Sequence, residues 1–339
     1  MSRRLLTALG LGFASLAAHA QFDAQAYGTV DVSYGRFQPS GFVKEHRFNS
    51  NSLSASFVGV NASYGFDGGW KPGITLETFV RFQDADYGRN DDDPFLSRNN
   101  FVSLDSDYGR LRFGRMQSDL FVTTTRFNAF GNSPVFSTSL KQLFLSGGMD
   151  GVQGDFYWDR AISYNTPRIE LGTNAAFGSL QGNVMHAWGR GRQRGNYDGA
   201  SIVYSKGVFS ASLVAQRVRF DDGIDDPTNE DAVQAAATYN FGWARVFGQA
   251  THIRDHFNDI KSRQFMVGTS IPVWQGSVLA QVGYTRAEGP SVDRKHTTTS
   301  LGYVYNWDST LDIYALGQDD RVRNQTRGLS WAVGARYQF

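Results

Sequence analysis

The chain ends on SWAVGARYQF, Ser330 to Phe339. Every second residue, Trp331, Val333, Ala335, Tyr337 and Phe339, is apolar or aromatic, whereas Ser330, Ala332, Gly334, Arg336 and Gln338 are small or polar. A period of two marks a strand with two unlike faces. Chain ends ordinarily fray and are polar, so a two-faced strand that finishes on an aromatic ring calls for a partner along its edge.

The same alternation recurs upstream. DAVQAAATYNF sets Val233, Ala235, Ala237, Tyr239 and Phe241 against Gln234, Thr238 and Asn240; YGTVDVSY sets Gly28, Val30, Val32 and Tyr34 against Tyr27, Thr29, Asp31 and Ser33. SVLAQVGYT and TSLGYVYN repeat it, and no stretch of comparable length carries a helical period. Sixteen such segments are predicted, with centres near 30, 57, 78, 101, 112, 162, 183, 202, 213, 236, 248, 268, 281, 302, 314 and 334. Short turn signals (67–70, 106–109, 240–243, 273–276, 307–310) roughly alternate with long charged ones (88–98, 219–231, 253–263, 286–296, 317–328). An even number of strands joined by alternating short and long connections is the pattern of an up-and-down antiparallel barrel crossing an outer membrane. The last strand would then close against the first, which answers why it ends two-faced.

At the other end, Arg3 and Arg4 precede an apolar run from Leu5 to Ala17 and then Ala18-His19-Ala20. That is the layout of a secretory signal peptide, predicted over residues 1–20 with Gln21 as the mature start; residues 21–339 read as one domain. The mature charge is 31 basic less 32 acidic residues, or −1, because the signal removes two of 33 arginines and lysines. That balance excludes a basic nucleic-acid binder, and the absence of cysteine excludes disulfides and thiol chemistry. After residue 20 no apolar run approaches the roughly 18 residues of a membrane helix. A mean hydropathy of −0.37 does not argue for solubility in a barrel, whose strands alternate lipid-facing and lumen-facing residues. The 26 Phe and 15 Tyr against 8 Pro suit one.

These residues resemble the general trimeric porins of Gram-negative outer membranes, in the branch typical of β-proteobacteria. AYGTVDVSYG is similar to that family's first strand, and GFDGGWKPGITLETFVRF to its second turn and third strand. SRNNFVSLDSDYGRLRFGRMQSDLF is similar to its fourth and fifth strands, and YWDRAISYNTP to its sixth. The resemblance spans essentially the whole mature chain. It implies a water-filled homotrimeric channel for passive diffusion of small hydrophilic solutes and ions, set in outer-membrane lipid and lipopolysaccharide. It also implies that the barrel-assembly machinery reads the terminal aromatic, Phe339. No cofactor is implied.

Between residues 116 and 155 no strand alternation persists, and such an unpatterned segment in a compact barrel is commonly functional. The resemblance implies that it folds into the lumen. Phe121, Phe127, Phe130, Phe136 and Phe144 argue against solvent exposure. A channel's site is its constriction, where fixed charge sets ion preference. Parity turns Glu77, Arg81 and Arg112 inward; Arg98 and Arg115 match family positions. The loop adds Asp119, Arg126, Lys141, Asp150 and Asp155. Arg160 stands where the family usually has asparagine and Tyr157 where it usually has arginine, and the parity of Arg160 leaves its reach into the pore open. The balance predicts weak anion selectivity. The small Ala26, Gly28 and Gly59 are expected on the lipid face, at an interface between copies.

No nucleophile motif surrounds His46, His186, His252, His256 or His296. His252 and His256 lack a third ligand, so no metal site is expected. A substrate-selective channel, recognisable by an aromatic track in the constriction, remains open as a second reading; an outer-membrane enzyme or adhesin is a third.

Overall fold

The computed structural model describes residues 21–145, 151–190, 195–220 and 228–339. The predicted signal segment and Asp150 lie outside these. Nineteen strands form one sheet. Glu45–Asn49, Asp86–Tyr87 and Ile169–Glu170 are short pieces beside longer neighbours. The other sixteen form the wall. They are β1 Phe22–Phe37, β2 Phe57–Tyr64, β3 Lys71–Arg81, β4 Asn100–Ser106, β5 Gly109–Gln117, β6 Tyr157–Asn165, β7 Ser179–Ala187 and β8 Tyr197–Lys206. β9 Phe209–Phe220, β10 Thr228–Asn240, β11 Arg245–Asp255, β12 Ile260–Val273, β13 Gly276–Gly289, β14 Val292–Asn306, β15 Leu311–Val322 and β16 Gly328–Gln338 follow.

Each wall strand pairs antiparallel with the next, and β1 pairs with β16 from Thr29↔Gln338 to Arg36↔Trp331, closing the barrel. Closure leaves no free edge. Phe339 continues that seam: Gly28 N–H donates to its carbonyl at 3.0 Å and its own N–H donates to the Gly28 carbonyl at 3.2 Å. Glycine is required at residue 28, because a Cβ there would come within 2.8 Å of the Phe339 ring.

The two faces fall as the period predicts. On β16, Trp331, Val333 and Tyr337 are exposed on the outer surface while Ser330 and Ala332 are buried inside. On β1, Thr29, Asp31 and Ser33 are buried and Val32 and Tyr34 exposed. Hydrocarbon is the solvent for the outer face, so an apolar exterior around a small, polar interior is the stable arrangement. Rings gather where the short turns lie: Tyr64 meets Phe66 at 4.9 Å, Tyr239 meets Phe241 at 4.5 Å and Tyr337 meets Phe339 at 5.9 Å. Trp331 lies at the opposite end, 6.4 Å from Tyr34.

Three expectations are corrected. The connections at 253–263, 286–296 and 317–328 are not long loops. β13 ends at Gly289 and β14 resumes at Val292; the gaps after Asp255 and Val322 are turns of four and five residues. Charge does not end these strands, because they run on past the apolar band and their charged residues pair on the sheet, as Arg323 does with Asp293 at 3.0 Å and Arg321 with Asp319 at 2.6 Å. Gly59 faces the lumen, where a Cβ would crowd Glu77 at 2.9 Å and Tyr27 at 3.0 Å. The unpatterned segment contains a helix, α1, Asp119–Arg126. Ser118 caps it by accepting from the Phe121 N–H at 3.3 Å, and Asp119 and Arg126 complement its dipole at either end. Eight residues are too few for a helical period to stand out in the sequence.

The described parts of this segment, 118–145 and 151–156, fold into the barrel, and glutamines pin the first of them to the wall. Gln249 Nε2 donates to the carbonyls of Thr124 (2.8 Å) and Phe127 (2.7 Å), and Gln281 Nε2 donates to Thr138 Oγ1 (2.8 Å). Gln142 Nε2 donates to the Gly283 carbonyl (3.1 Å) and Thr298 Oγ1 (3.1 Å). Phe127, Phe130 and Phe136 are buried, the last two in one cluster with Leu53, Tyr314 and Leu316. The loop covers the inner face of β8 to β16.

Candidate functional site

The structure brings Glu77 and Arg98 together and buries both. Arg98 lies two residues before β4 rather than within it. Its ε N–H donates to Glu77 Oε2 at 3.0 Å, and the guanidinium lies 3.7 Å from the Phe57 ring centre and 4.8 Å from that of Phe79. Tyr27 O–H (2.7 Å) and Asn99 Nδ2 (3.0 Å) also donate to Glu77, so its charge is shared among three donors.

Arg115 faces inward beside a bulge between Gly114 and Met116. It holds Asp155 at 3.1 Å and Asp159 at 2.7 Å. The sequence reading missed Arg89, whose setting in a charged loop looked solvated. Its guanidinium clamps Asp93 (2.7 Å) and Asp155 (2.7 Å), tying the loop after β3 to the end of the internal loop. Burial opposes ionisation of both carboxyls, but the bonds from Arg89 outweigh it and hold each below the ordinary range.

Arg81 does not reach this group; at the outer end of β3 it is neutralised by Asp84, Asp86 and Asp91. Lys141 is likewise away from it, buried against Asp320 at 3.0 Å and Gln318 at 2.6 Å on the loop's wall side. Arg160 does not enter the lumen. At φ 49°, it donates to the backbone carbonyls of Trp188 (3.2 Å) and Arg190 at the rim.

Arg112, Asp119 and Arg126 converge on a second lumen cavity of about 480 Å³ below α1. Asp119 is buried and accepts from Asn183 Nδ2 at 2.6 Å. Arg112 donates to Ser163 Oγ (3.0 Å) and Asn165 Oδ1 (2.9 Å). Neither Arg112 nor Arg126 has a carboxylate within 4.0 Å among the described residues.

A closed sixteen-stranded barrel, apolar outside, with one connection folded inside against its wall, defines a pore-forming outer-membrane protein. The chain belongs to the Gram-negative porin family, whose pattern matches residues 6–325. It is an outer-membrane channel for passive diffusion. It is 29% identical over 324 residues to outer membrane porin protein 32 of Delftia acidovorans, covering 92% of this chain and 88% of that one. The fold is similar to an anion-selective porin from Comamonas acidovorans (TM-score 0.77, 22% identity, 94% and 100% coverage). It is also similar to OmpT of Vibrio cholerae in a trimer form (TM-score 0.69, 15% identity, 94% and 100% coverage).

Proposed function

We propose that the channel favours small anions, weakly, and performs no covalent chemistry. The observation that carries this is the pair Arg112 and Arg126, which make no ion pair among the described residues and border the cavity below the constriction, where Asp119, beyond 4.0 Å, offsets only part of their charge. Among the described site residues, Arg81, Arg89, Arg98, Arg115 and Lys141 are all matched by acids. In a partly desolvated passage an unmatched charge biases an ion by ~1 kcal/mol or more, and high salt screens it. The Comamonas porin's anion selectivity agrees with this reading. In a tenfold KCl gradient the wild type should give an anion-selective reversal potential, moved toward or past zero by Arg112→Gln with Arg126→Gln. Cation preference in the wild type, or no shift in the variant, sinks the reading.

We further propose a homotrimer seated in lipopolysaccharide. Ala26 is small and exposed on the outer face of β1, whereas Gly28 is covered by Phe339 and Gly59 points inward, so the interface does not rest on those glycines. For the lipid, four basic side chains stand directly opposite one another across adjacent strands, His252↔Arg263↔Arg286↔Lys295, above the apolar pair Phe265↔Tyr284. Glu288 pairs with Arg286 at 2.6 Å, but Arg263 and Lys295 on either side have no carboxylate partner among the described residues, and like charges so placed are destabilising unless anions such as lipid phosphates lie against them. Cross-linking in mild detergent should give trimers that retain lipopolysaccharide. Arg263→Ser, Arg286→Ser and Lys295→Ser together should shed most of that lipid without altering conductance. Monomer alone, or undiminished lipid, contradicts the respective part. Delivery by the barrel-assembly machinery completes the proposal and is tested below through Phe339.

A further inference from the structure

The constriction holds a feature that ion selectivity does not use. Between the internal loop and the wall lies a cavity of about 190 Å³. Phe121 stacks on Phe156 at 4.6 Å and 15°, and Phe144 meets both edge-on at 5.5 and 5.9 Å. Across from them Phe79 meets Tyr157 at 5.7 Å and 89°. These five rings and Leu140 make the lining mostly apolar. An open polar constriction gains nothing from such a box; over most of its surface water would lack partners.

One cation in the lining has unused donors. The η nitrogens of Arg98 make no hydrogen bond among the described residues, since only its ε N–H is committed, to Glu77. Arg98 borders the cavity. Arg89, the other arginine there, has its ε and both η nitrogens engaged by Asp93 and Asp155. Gln117 gives its side-chain N–H to Tyr157 Oη at 2.8 Å. The free charged donors therefore sit at one point, on the Arg98 guanidinium; Asn51, Asn132 and the Tyr157 O–H add neutral polar groups, and most of the remaining surface offers ring faces and edges.

We propose that this cavity is a binding site on the permeation path for organic anions with a flat apolar body, of which an aromatic monocarboxylate is the type. The inference rests on the channel reading above and names a solute class for it. The carboxylate would take the paired η N–H groups of Arg98 in the bidentate geometry guanidinium favours, and the ring would lie among Phe121, Phe144 and Phe156. A sugar fits poorly, because each hydroxyl needs a partner and most of the lining is apolar. The volume is below the ~300 Å³ at the lower end of drug-sized sites, so a single ring fits and a two-ring body does not. Glu77 opposes the anion, but its charge is already shared among Tyr27, Arg98 and Asn99.

The test is single-channel recording of the purified protein in a planar bilayer with KCl, adding benzoate, acetate or benzylammonium at matched ionic strength. Benzoate should reduce or interrupt the chloride current saturably, with acetate at least tenfold weaker and benzylammonium without effect. Arg98→Gln should raise the half-blocking benzoate concentration at least tenfold. Phe121→Ala with Phe156→Ala should erase the preference for benzoate over acetate. The wild-type comparison needs no variant, so misfolding of Arg98→Gln does not rescue the idea. Equal action of benzoate and acetate removes the aromatic site, and equal action of benzylammonium removes the role of Arg98. Absence of any KCl conductance would instead defeat the channel reading beneath it.

Discussion

Replacing Lys141 with Met and Gln142 with Leu is expected to detach the C-terminal part of the internal loop from the wall, raising single-channel conductance and open-channel noise. The Gln142 side chain is wholly buried, and its Oε1 accepts from Thr285 Oγ1 at 2.9 Å while its Nε2 serves Gly283 and Thr298. An apolar replacement leaves Thr285 Oγ1 without its acceptor and removes one donor each from the Gly283 carbonyl and Thr298, which keeps its bond to Asp320; a buried group left unpaired costs about 1–3 kcal/mol. Removing Lys141 breaks a buried ion pair with Asp320, which costs about 3–5 kcal/mol when one partner is lost. Part of that second loss is softened, because His296 (2.7 Å) and Thr298 (2.8 Å) still contact the Asp320 carboxylate. A shift of ~5.5 kcal/mol inverts a 99:1 preference, so the combined change is large enough to undock this end. Phe127, Phe130 and Phe136 keep the tip of the loop in place. Conductance and noise equal to wild type would show that these rings alone hold the loop.

Deleting Phe339, or replacing it with Asp, is expected to reduce the amount of protein in the outer membrane several-fold, with little change in the pore of the molecules that do insert. The residue contributes two backbone hydrogen bonds to the seam and a ring over Gly28. Two bonds amount to roughly 1–3 kcal/mol net, a modest loss for a barrel joined along the rest of β1 and β16. Refolding from urea into detergent should therefore still yield closed barrels. The combination of a large deficit in cells with a small one in the refolding assay points to recognition of the terminal ring during assembly. Wild-type levels in the outer membrane would reduce Phe339 to a structural residue, and equal deficits in both assays would assign the effect to the seam alone.

The barrel was legible because its determinant is local and repeated. A period of two is set by backbone geometry in each strand separately, and sixteen strands carry it whether or not their neighbours are known. Parity likewise turned Glu77 and Arg112 inward. Within the loop, the phenylalanines announced burial by their type alone. Parity could not say which inward charge would be cancelled, since that depends on which loop approaches. Arg81 was lost to three aspartates of its own connection, and Arg89 was drawn by Asp155, 66 residues away. Arg160 shares the parity of Ile162 and Tyr164, both exposed on the outer face, and it turns to the rim on their side.

By itself the sequence determined a cysteine-free chain, a two-faced wall, its strand number and its closing strand, and it marked the one long segment without strand alternation. Only the tertiary structure decided which wall strands the loop covers, which arginines go without an ion pair and which rings line the narrow point. The physical reason is range: strand alternation is settled by neighbours one and two residues away, whereas a constriction is made by groups such as Arg98, Phe121 and Tyr157 that meet only when the internal loop crosses the barrel.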